Sequence, residues 1–375
     1  MSTKIKAIAI HLPQFHPFPE NDEWWGKGFT EWTNVTKTKP LFKEHYQPHL
    51  PTDLGFYDLR LEQTRIDQAE LARENGIYGF CYYHYWFDGK RLMHQPLDDL
   101  LKSKRPDFPF MLCWANENWT RRWDGSEHFV LLRQSYSKLD AENHCRFMIP
   151  FFSDPRYIKV DNKPVFCFYK PQLIPNIKEY IEAFKTEAQK HAIEFYLCYM
   201  ENYEKFYGDY FDAAVEFQPF SEDLIFLMYL IQKESFLEKF NTKYFKKIID
   251  VLGMNETYKE LRHNVKHRVD YDLYVDYLLQ RYKYPANYKR YPCVTPMWDN
   301  TPRRGKNSFL FKNSTPEKYA EWLQFHKEYF KPYSKDESFI FINAWNEWGE
   351  GNHLEPCIKW GRSYLDITKR VLKDS

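Results

Sequence analysis

The sequence predicts an α/β fold, a single (β/α)8 barrel of the TIM type, and three observations favour it. Eight short apolar or aromatic segments are bounded by turn signals, amphipathic helical patterns lie between several of them, and polar clusters follow most of them. Strands that are apolar throughout and alternate with helices are typical of parallel sheets covered by helices. Eight such units favour a closed barrel, and a doubly wound open sheet is the alternative.

The elements follow one another along the whole chain. The predicted strands are 5–12, 78–86, 108–116, 163–169, 193–200, 213–218, 291–298 and 339–345. The clearest helical patterns are 58–76, 138–152, 176–191 and 315–330. The longest connection, at about 220–290, also has helical spacing, so we expect a helical insertion between strands six and seven, which either walls a cleft or packs against the barrel. Without an internal repeat or a low-complexity linker, residues 1–375 are predicted to form one domain.

Composition limits the classes of partner. Lys and Arg number 53 against 52 Asp and Glu, so the formal charge of +1 gives no overall attraction for nucleic acid. Aromatic residues make up 19% of the chain; their faces can stack on sugar rings, although core packing is the simpler explanation for any one of them. The N-terminal segment lacks a signal-peptide pattern and no apolar run is long enough to span a membrane, so a soluble, cytoplasmic protein is expected.

A pair of glutamates follows the eighth predicted strand. In a barrel of this class the active site lies at the carboxyl ends of the strands. Glu347 and Glu350 are three residues apart, and Gly349 and Gly351 permit a turn that brings both carboxyl groups to one side. Glycoside hydrolysis uses two such groups, so this pair is predicted to be catalytic. The alternative is the first turn of a helix, where acidic residues are favourable near the helix dipole.

Other residues near the strand ends are predicted to bind the substrate. Carboxylates and amides could bond to sugar hydroxyls and aromatic rings could stack on sugar faces, although each type also has an ordinary structural role there. The predicted substrate-binding residues are Trp32, His84, Tyr85, Trp86, Asn116, Glu117, Glu201, Trp298, Asp299, Trp345, Asn346 and Trp348.

No metal or organic cofactor is predicted. His45 and His49 have i, i+4 spacing, but Pro48 breaks the helix that such a pair of ligands requires. Asp270 and Asp272 form the D-x-D pattern with which sugar-nucleotide transferases hold a metal, yet they open a helical pattern in which Asp is an ordinary N-cap. The seven cysteines are odd in number and lack C-x-x-C spacing, which indicates buried apolar side chains in a reducing compartment.

Five segments together resemble the WbsX-type family found with bacterial surface-polysaccharide genes. They are DEWWGKGFTEWTNV (22–35), HYQPHLPTDLGFYD (45–58), YGFCYYHYWFDGK (78–90), FMLCWANENWTRRWDG (110–125) and NAWNEWGEG (343–351). The family is usually labelled glycosyltransferase from gene context, and its fold is similar to the barrels of glycoside hydrolase family 99, the endo-α-mannosidases. The mannosidase motif E-W-x-E-G is matched at 347–351, with Gly349 where a histidine is usual.

The resemblance implies roles for both glutamates. Glu347 would act as a base toward the sugar 2-hydroxyl, which attacks the anomeric carbon to give an anhydro sugar, and Glu350 would be the acid/base for the leaving group and water, with net retention. The implied protein is a retaining glycoside hydrolase for α-linked mannose- or rhamnose-like sugars of bacterial surface polysaccharide. The alternatives are a glycosyltransferase in O-antigen or capsular polysaccharide biosynthesis and a non-catalytic glycan-binding barrel. The expected partner is an oligosaccharide or polysaccharide, and the oligomeric state is not predicted.

Overall fold

The computed structural model describes residues 4–121, 126–201, 210–221, 224, 268–282 and 286–373. Eight parallel strands form its central sheet. They are β1 (Lys6–His11), β2 (Ile77–Phe87), β3 (Phe110–Trp114), β4 (Lys163–Phe168), β5 (Tyr196–Glu201), β6 (Ala213–Glu216), β7 (Arg290–Tyr291 and Cys293–Val294) and β8 (Phe339–Ile342). Each predicted strand therefore corresponds to an observed one, and the α/β barrel class is confirmed.

The two short segments of β7 close the sheet into a barrel. Neighbouring strands pair in sequence order from β1 to β6, and β1 also pairs with β8. The first β7 segment pairs with β6 through Arg290 and the second pairs with β8 through Cys293. Pro292 lies between the segments, and its carbonyl accepts a hydrogen bond of 2.8 Å from the Phe341 N–H. A proline has no N–H to donate, which explains why the regular ladder changes partner here.

Helices cover the outside of the barrel and build part of its rim. They are α1 (Pro19–Trp25), α2 (Glu31–Lys37), α3 (Glu62–Glu74), α4 (Gln95–Ser103), α5 (Lys138–Phe152), α6 (Ile177–Gln189), α7 (Tyr271–Arg281), α8 (Thr301–Arg304), α9 (Pro316–Tyr329) and α10 (Ser363–Lys373). The four clearest predicted helices correspond to α3, α5, α6 and α9. Most of the predicted insertion at about 220–290 lies outside the described residues, which include its strand Arg268–Asp270 and helix α7. That 1–375 form one domain remains a prediction.

The connections between these elements contain additional short strands. Two antiparallel hairpins, Trp119–Arg121 with Ser126–Leu132 and Asn346–Glu347 with Asn352–His353, follow β3 and β8. The other short pairings are Lys90–Leu92 with β2, Lys159–Val160 with β4, and Arg268–Asp270 with Leu310–Lys312. The hairpin after β8 carries the predicted catalytic pair.

Aromatic packing fills the layer between strands and helices. Phe166 stacks on Phe184 at 5.5 Å between ring centroids, and Trp114 stacks on Tyr180 at 5.4 Å. All seven cysteines are buried and free. Much of the aromatic content thus belongs to the core, where such pairs add to the stabilisation from burial alone. Within the described part of the chain, no helix combines the length and apolar character needed to cross a membrane.

Candidate active site

A tight turn after β8 places Glu347 and Glu350 on the same side of the chain. Glu347 ends the first strand of the hairpin, Trp348–Glu350 form a 3-10 turn, and Gly351 adopts a left-handed conformation with φ of 53°. The preceding residue, Asn346, anchors the hairpin to the residue that follows β1, because its side chain accepts from the Leu12 N–H at 2.7 Å and donates to the Leu12 carbonyl at 3.0 Å. The carboxyl groups are therefore held on a fixed backbone.

One guanidinium, that of Arg303 in α8, joins three carboxyl groups. Its two terminal nitrogens donate to Glu350 Oε1 at 2.5 Å, to Glu347 Oε2 at 2.6 Å and to Glu31 Oε1 at 2.9 Å. Glu31 is the first residue of α2 and its side chain is fully buried. Neither Arg303 nor Glu31 was predicted as a site residue, although Arg303 lies in the polar cluster after strand seven and Glu31 lies in the segment 22–35.

The Glu31 carboxylate occupies the space that a side chain at position 349 would need. Glu31 Oε1 accepts a hydrogen bond of 2.8 Å from the Gly349 N–H. A Cβ atom added to Gly349 would lie 2.0 Å from the same oxygen and 3.0 Å from Arg303 Nε. The other oxygen, Glu31 Oε2, is buried and has no hydrogen-bond partner among the described residues. Glycine at 349 is therefore a steric requirement of this arrangement.

Burial controls the charge of the cluster. It raises the pKa of Glu347 to about 8; the Arg303 charge opposes this shift, while the charges of Glu350 and Glu31 add to it. Burial also raises the pKa of Glu31, again against the influence of Arg303. The carboxylates in turn hold the pKa of Arg303 well above its ordinary value, despite burial. Burial and the neighbouring carboxyl groups thus favour the protonated form of Glu347, whereas the Arg303 charge favours its ionised form.

The Glu347–Glu350–Arg303 group faces a cleft of about 140 Å³. Aromatic side chains form much of its wall, and Tyr85 packs edge-on against Trp119 at 5.4 Å between centroids. Gln14 lines the cleft as well, and its Nε2 has no hydrogen-bond partner among the described residues. The full lining is Leu12, Gln14, Tyr83, Tyr85, Ala115, Glu117, Asn118, Trp119, Thr120, Tyr169, Phe217, Phe220, Arg303, Glu347 and Glu350.

Four of the predicted site residues line this cleft. They are the two glutamates of the turn, Tyr85 and Glu117. Glu117 accepts a hydrogen bond of 2.7 Å from Lys170 Nζ, so its carboxylate is paired with a cation at the rim. Gln14 and Trp119 line the cleft without having been predicted; Trp119 lies in the cluster after strand three, which could have indicated it.

Three predicted residues form a buried layer beside the carboxyl groups. Trp32 donates to the Tyr57 carbonyl at 2.9 Å, and Trp348 donates to Glu355 Oε2 at 2.7 Å. Asn346 bonds to the backbone of Leu12, as described above. These side chains support the turn through hydrogen bonds and ring contacts and do not line the cleft.

The other predicted residues also lie outside the cleft lining. His84 contacts His144 at 3.0 Å, and Trp86 donates to Asp140 at 2.7 Å. The Asn116 side chain donates to the Lys170 carbonyl and accepts from the Lys170 N–H, at 2.7 Å each. Trp345 is fully buried in the core. Glu201 forms an ion pair of 3.2 Å with Arg290. Trp298 and Asp299 line a second cavity, where Asp299 accepts from Gln47 at 2.7 Å and pairs with His45 at 2.6 Å.

A sequence profile described as Glycosyltransferase WbsX matches residues 7–368. The chain belongs to the WbsX family. It is 37% identical over 373 residues to proteins named "Uncharacterized protein WxcX" from two strains of Xanthomonas campestris pv. campestris, which covers 97% of this chain and 49% of each relative. This WbsX chain therefore spans about half the length of the curated relatives it matches. The family predicted from the five segments is confirmed.

Solved glycoside hydrolase structures share the fold of this WbsX chain. The GH99 endo-α-mannosidase from Bacteroides thetaiotaomicron, in complex with bis-tris-propane, superimposes with a TM-score of 0.57 at 13% sequence identity, over 98% of this chain and 96% of the enzyme. A structure titled "Glycoside hydrolase-like protein" gives a TM-score of 0.56 at 12% identity, covering 99% and 94% of the two chains. At these identities the likeness establishes a shared barrel fold, as the sequence predicted.

Proposed function

We propose that this WbsX protein is a retaining glycoside hydrolase that acts on α-linked mannose- or rhamnose-like sugars of bacterial surface polysaccharide. One observation carries the proposal: Glu347 and Glu350 face the same aromatic cleft and bond to the same guanidinium. Paired carboxyl groups at the carboxyl ends of barrel strands are suited to acid–base cleavage of a glycosidic bond. Tyr85 and Trp119 supply aromatic faces on which sugar rings can stack.

The proposed reaction has two steps, in which the family 99 resemblance supplies the roles. In the first, Glu347 removes the proton of the sugar 2-hydroxyl, O2 attacks the anomeric carbon, and Glu350 protonates the departing glycosidic oxygen. In the second, Glu350 removes a proton from water as it attacks the anomeric carbon, and Glu347 returns a proton to O2 as the anhydro ring opens. Two displacements at one carbon give net retention. An axial O2 trans to the leaving group, as in α-mannose and α-rhamnose, suits the first step.

The electrostatics of the cluster suit a base at position 347. Its pKa of about 8 makes Glu347 a stronger base than an ordinary carboxylate, while leaving an ionised fraction near neutral pH. Arg303 favours the ionised form by its charge, and Glu31 bonds to the same terminal nitrogen of Arg303 as Glu347 does. In this proposal Glu31 is a positioning residue, because it acts through Arg303 and the Gly349 N–H.

The test is cleavage of purified bacterial surface polysaccharides that contain α-mannose or α-rhamnose. Released reducing ends measure the rate, and NMR of the first product formed gives its anomeric configuration. We expect the α anomer first, and rates reduced by about 10²–10⁴-fold in Glu347→Gln and Glu350→Gln, as for loss of an acid–base group. Glu337→Gln is the control, because Glu337 is a buried carboxylate just before β8 that bonds to Tyr196 and Lys289, outside the cleft lining. Initial release of the β anomer, or full activity in either glutamate variant, would contradict the proposal.

Transfer of a sugar is the second candidate, because the family profile is described as a glycosyltransferase. The D-x-D pattern gives this candidate little support: Asp270 caps α7 by accepting from the Leu273 N–H at 3.1 Å, and it also accepts from Asn313 at 2.8 Å. Thermal unfolding with added ligands separates the candidates. Stabilisation by a nucleotide-sugar favours transfer, stabilisation by glycans with turnover favours hydrolysis, and glycan binding without turnover on any polysaccharide favours a non-catalytic barrel.

A further inference from the structure

A second group of chemically reactive side chains lies next to the β8 turn and outside the cleft lining. His49, His353 and Cys357 each offer a ligand atom, and the three atoms lie within 4.8 Å of one another. All three side chains are buried. His49 comes from the loop between α2 and α3, whereas His353 and Cys357 follow the turn, so the group connects two segments of the chain that are about 300 residues apart.

The orientation of His353 makes one of its nitrogens available to the group. Its Nδ1 is 2.8 Å from the Glu355 carbonyl, which can only accept, so Nδ1 carries the hydrogen. The Nε2 lone pair then points to the group, 3.2 Å from His49 Nδ1. Metal-binding histidines typically donate their second N–H to a backbone carbonyl in this way.

A tight backbone turn fixes the position of Cys357 in the group. The turn is closed by the Gly361 N–H, which donates to the Cys357 carbonyl at 2.7 Å, and Gly361 has a φ of 52°. A thiolate is the form of cysteine that binds metals, so zinc binding at this sulfur would release the thiol proton.

We propose that His49, His353 and Cys357 bind a zinc ion. Two imidazole nitrogens and one thiolate suit Zn²⁺, which takes three protein ligands and a water in sites that remain open at the fourth position. His49 lines the second cavity, so water can reach the site from that side. The sequence predicted no metal, because local spacing does not show ligands that meet only in the fold.

The zinc ion would brace the loop that carries the candidate catalytic pair. His353 stacks on Trp348 at 3.8 Å between centroids, and Trp348 lies between Glu347 and Glu350 in the sequence. The ion would therefore link the loop that contains His49 to His353 and Cys357, which follow the Trp348–Glu350 turn. This bracing does not depend on whether the cleft hydrolyses or transfers sugars.

Metal content and Co²⁺ absorption test the site without any assay of activity. The whole chain, purified without chelator, is expected to contain about one zinc ion per molecule, as a single site of this kind would give. After removal of the metal, added Co²⁺ is expected to produce the thiolate-to-cobalt charge-transfer band, and added Zn²⁺ is expected to abolish it. Zn²⁺ is also expected to raise the unfolding temperature of the metal-free protein.

Variants show whether the signal comes from this group. Cys357→Ser is expected to lose the cobalt band and the zinc-dependent rise in unfolding temperature. Cys145→Ser is the matched control, since Cys145 is also buried but lies in α5 outside the group, and it is expected to keep both signals. If folded wild-type protein neither contains nor binds zinc, or if the cobalt band persists in Cys357→Ser, the proposal is wrong and the His49–His353 hydrogen bond alone accounts for the group. The wild-type measurement decides the matter even if Cys357→Ser fails to fold.

Discussion

At the scale of single residues, Gly349 shows how one missing side chain makes room for another. The Glu31 carboxylate fills the volume beside Gly349 and accepts its N–H. The mannosidase motif usually has histidine at this position, so the difference between the families is accompanied here by a third carboxyl group in the cluster. Arg303 is the common partner of all three.

A double-mutant cycle tests this steric coupling. Gly349→Ala is expected to destabilise the protein by about 1–3 kcal/mol, a typical penalty for overpacking, because the new methyl group displaces Glu31. In a Glu31→Ala background the same change is expected to cost less than about 1 kcal/mol, since the closest contact is then removed and only the 3.0 Å approach to Arg303 Nε remains. Urea unfolding of the four proteins measures the coupling. Equal costs in both backgrounds would show that Glu31 does not restrict position 349.

The pH dependence of kcat/KM tests the charge of Glu347. A base works in its ionised form, so activity is expected to rise with pH, to be half-maximal near the Glu347 pKa of about 8, and to level off roughly one pH unit above it. Arg303 lowers the pKa of Glu347, so Arg303→Met is expected to move this rise to higher pH, whereas Arg303→Lys, which keeps the charge, is expected to stay closer to wild type. A shift to lower pH in Arg303→Met would contradict this account of the electrostatics.

At the scale of elements, three short segments position the cluster of Arg303 and its three carboxyl partners. The 3-10 turn Trp348–Glu350 presents the pair, the four-residue helix α8 brings Arg303, and the first turn of α2 brings Glu31. Gly351 ends the turn with a positive φ, and a Cβ there would lie 2.8 Å from the Asp299 carbonyl oxygen. The turn and the segment after β7 are thus in direct backbone contact.

Substitution at Gly351 tests that contact. Gly351→Ala is expected to lower the free energy of unfolding by about 1–3 kcal/mol through backbone strain, with a further loss from the clash with Asp299, and to reduce turnover because the glutamates shift. Gly55→Ala is the matched control: Gly55 has a φ of 60° but has open space around its Cβ position, so it should show strain alone. Similar stability and full activity in both variants would show that the close approach to Asp299 is unimportant.

The elements could be predicted from sequence because their signals are local. The β8 segment Phe339–Ile342 is apolar throughout and buried throughout, and the α5 pattern begins and ends where the helix does. The aromatic residues of the cluster were harder to place, since Trp345 and Trp348 at a strand end are compatible with both a sugar platform and a core position. The structure buries both completely. Arg303 and Glu31 meet across 272 residues, and no local pattern records such a contact.

At the scale of the whole molecule, strand β7 closes the barrel, because its first segment pairs with β6 and its second segment pairs with β8. Glu337, just before β8, accepts hydrogen bonds of 2.6 Å from Tyr196 in β5 and from Lys289 just before β7. These bonds connect β5 to the segments that precede β7 and β8. The order of strands followed from counting eight segments, whereas the division of β7 at Pro292 did not. Proline inside a predicted strand indicates an irregularity without showing which partners lie on either side.

The prediction of one domain can be tested by unfolding. If residues 1–375 form a single cooperative unit, far-ultraviolet circular dichroism and tryptophan fluorescence should give coincident urea transitions. The twelve tryptophans report tertiary packing and the dichroism reports helices and strands, so the probes are independent. Two separate transitions, with part of the dichroism lost before the fluorescence changes, would indicate a second unit.

The exchange of space between Glu31 and position 349 also has an evolutionary consequence. A histidine at 349 would require the Glu31 carboxylate to move or to be absent, because a side chain there would overlap the present position of that carboxylate. In an alignment of related barrels, the two residues should therefore exclude each other. Their mutual exclusion would divide the relatives into two groups, one in which this glutamate bonds to the arginine beside the glutamate pair of the turn, and one without that contact.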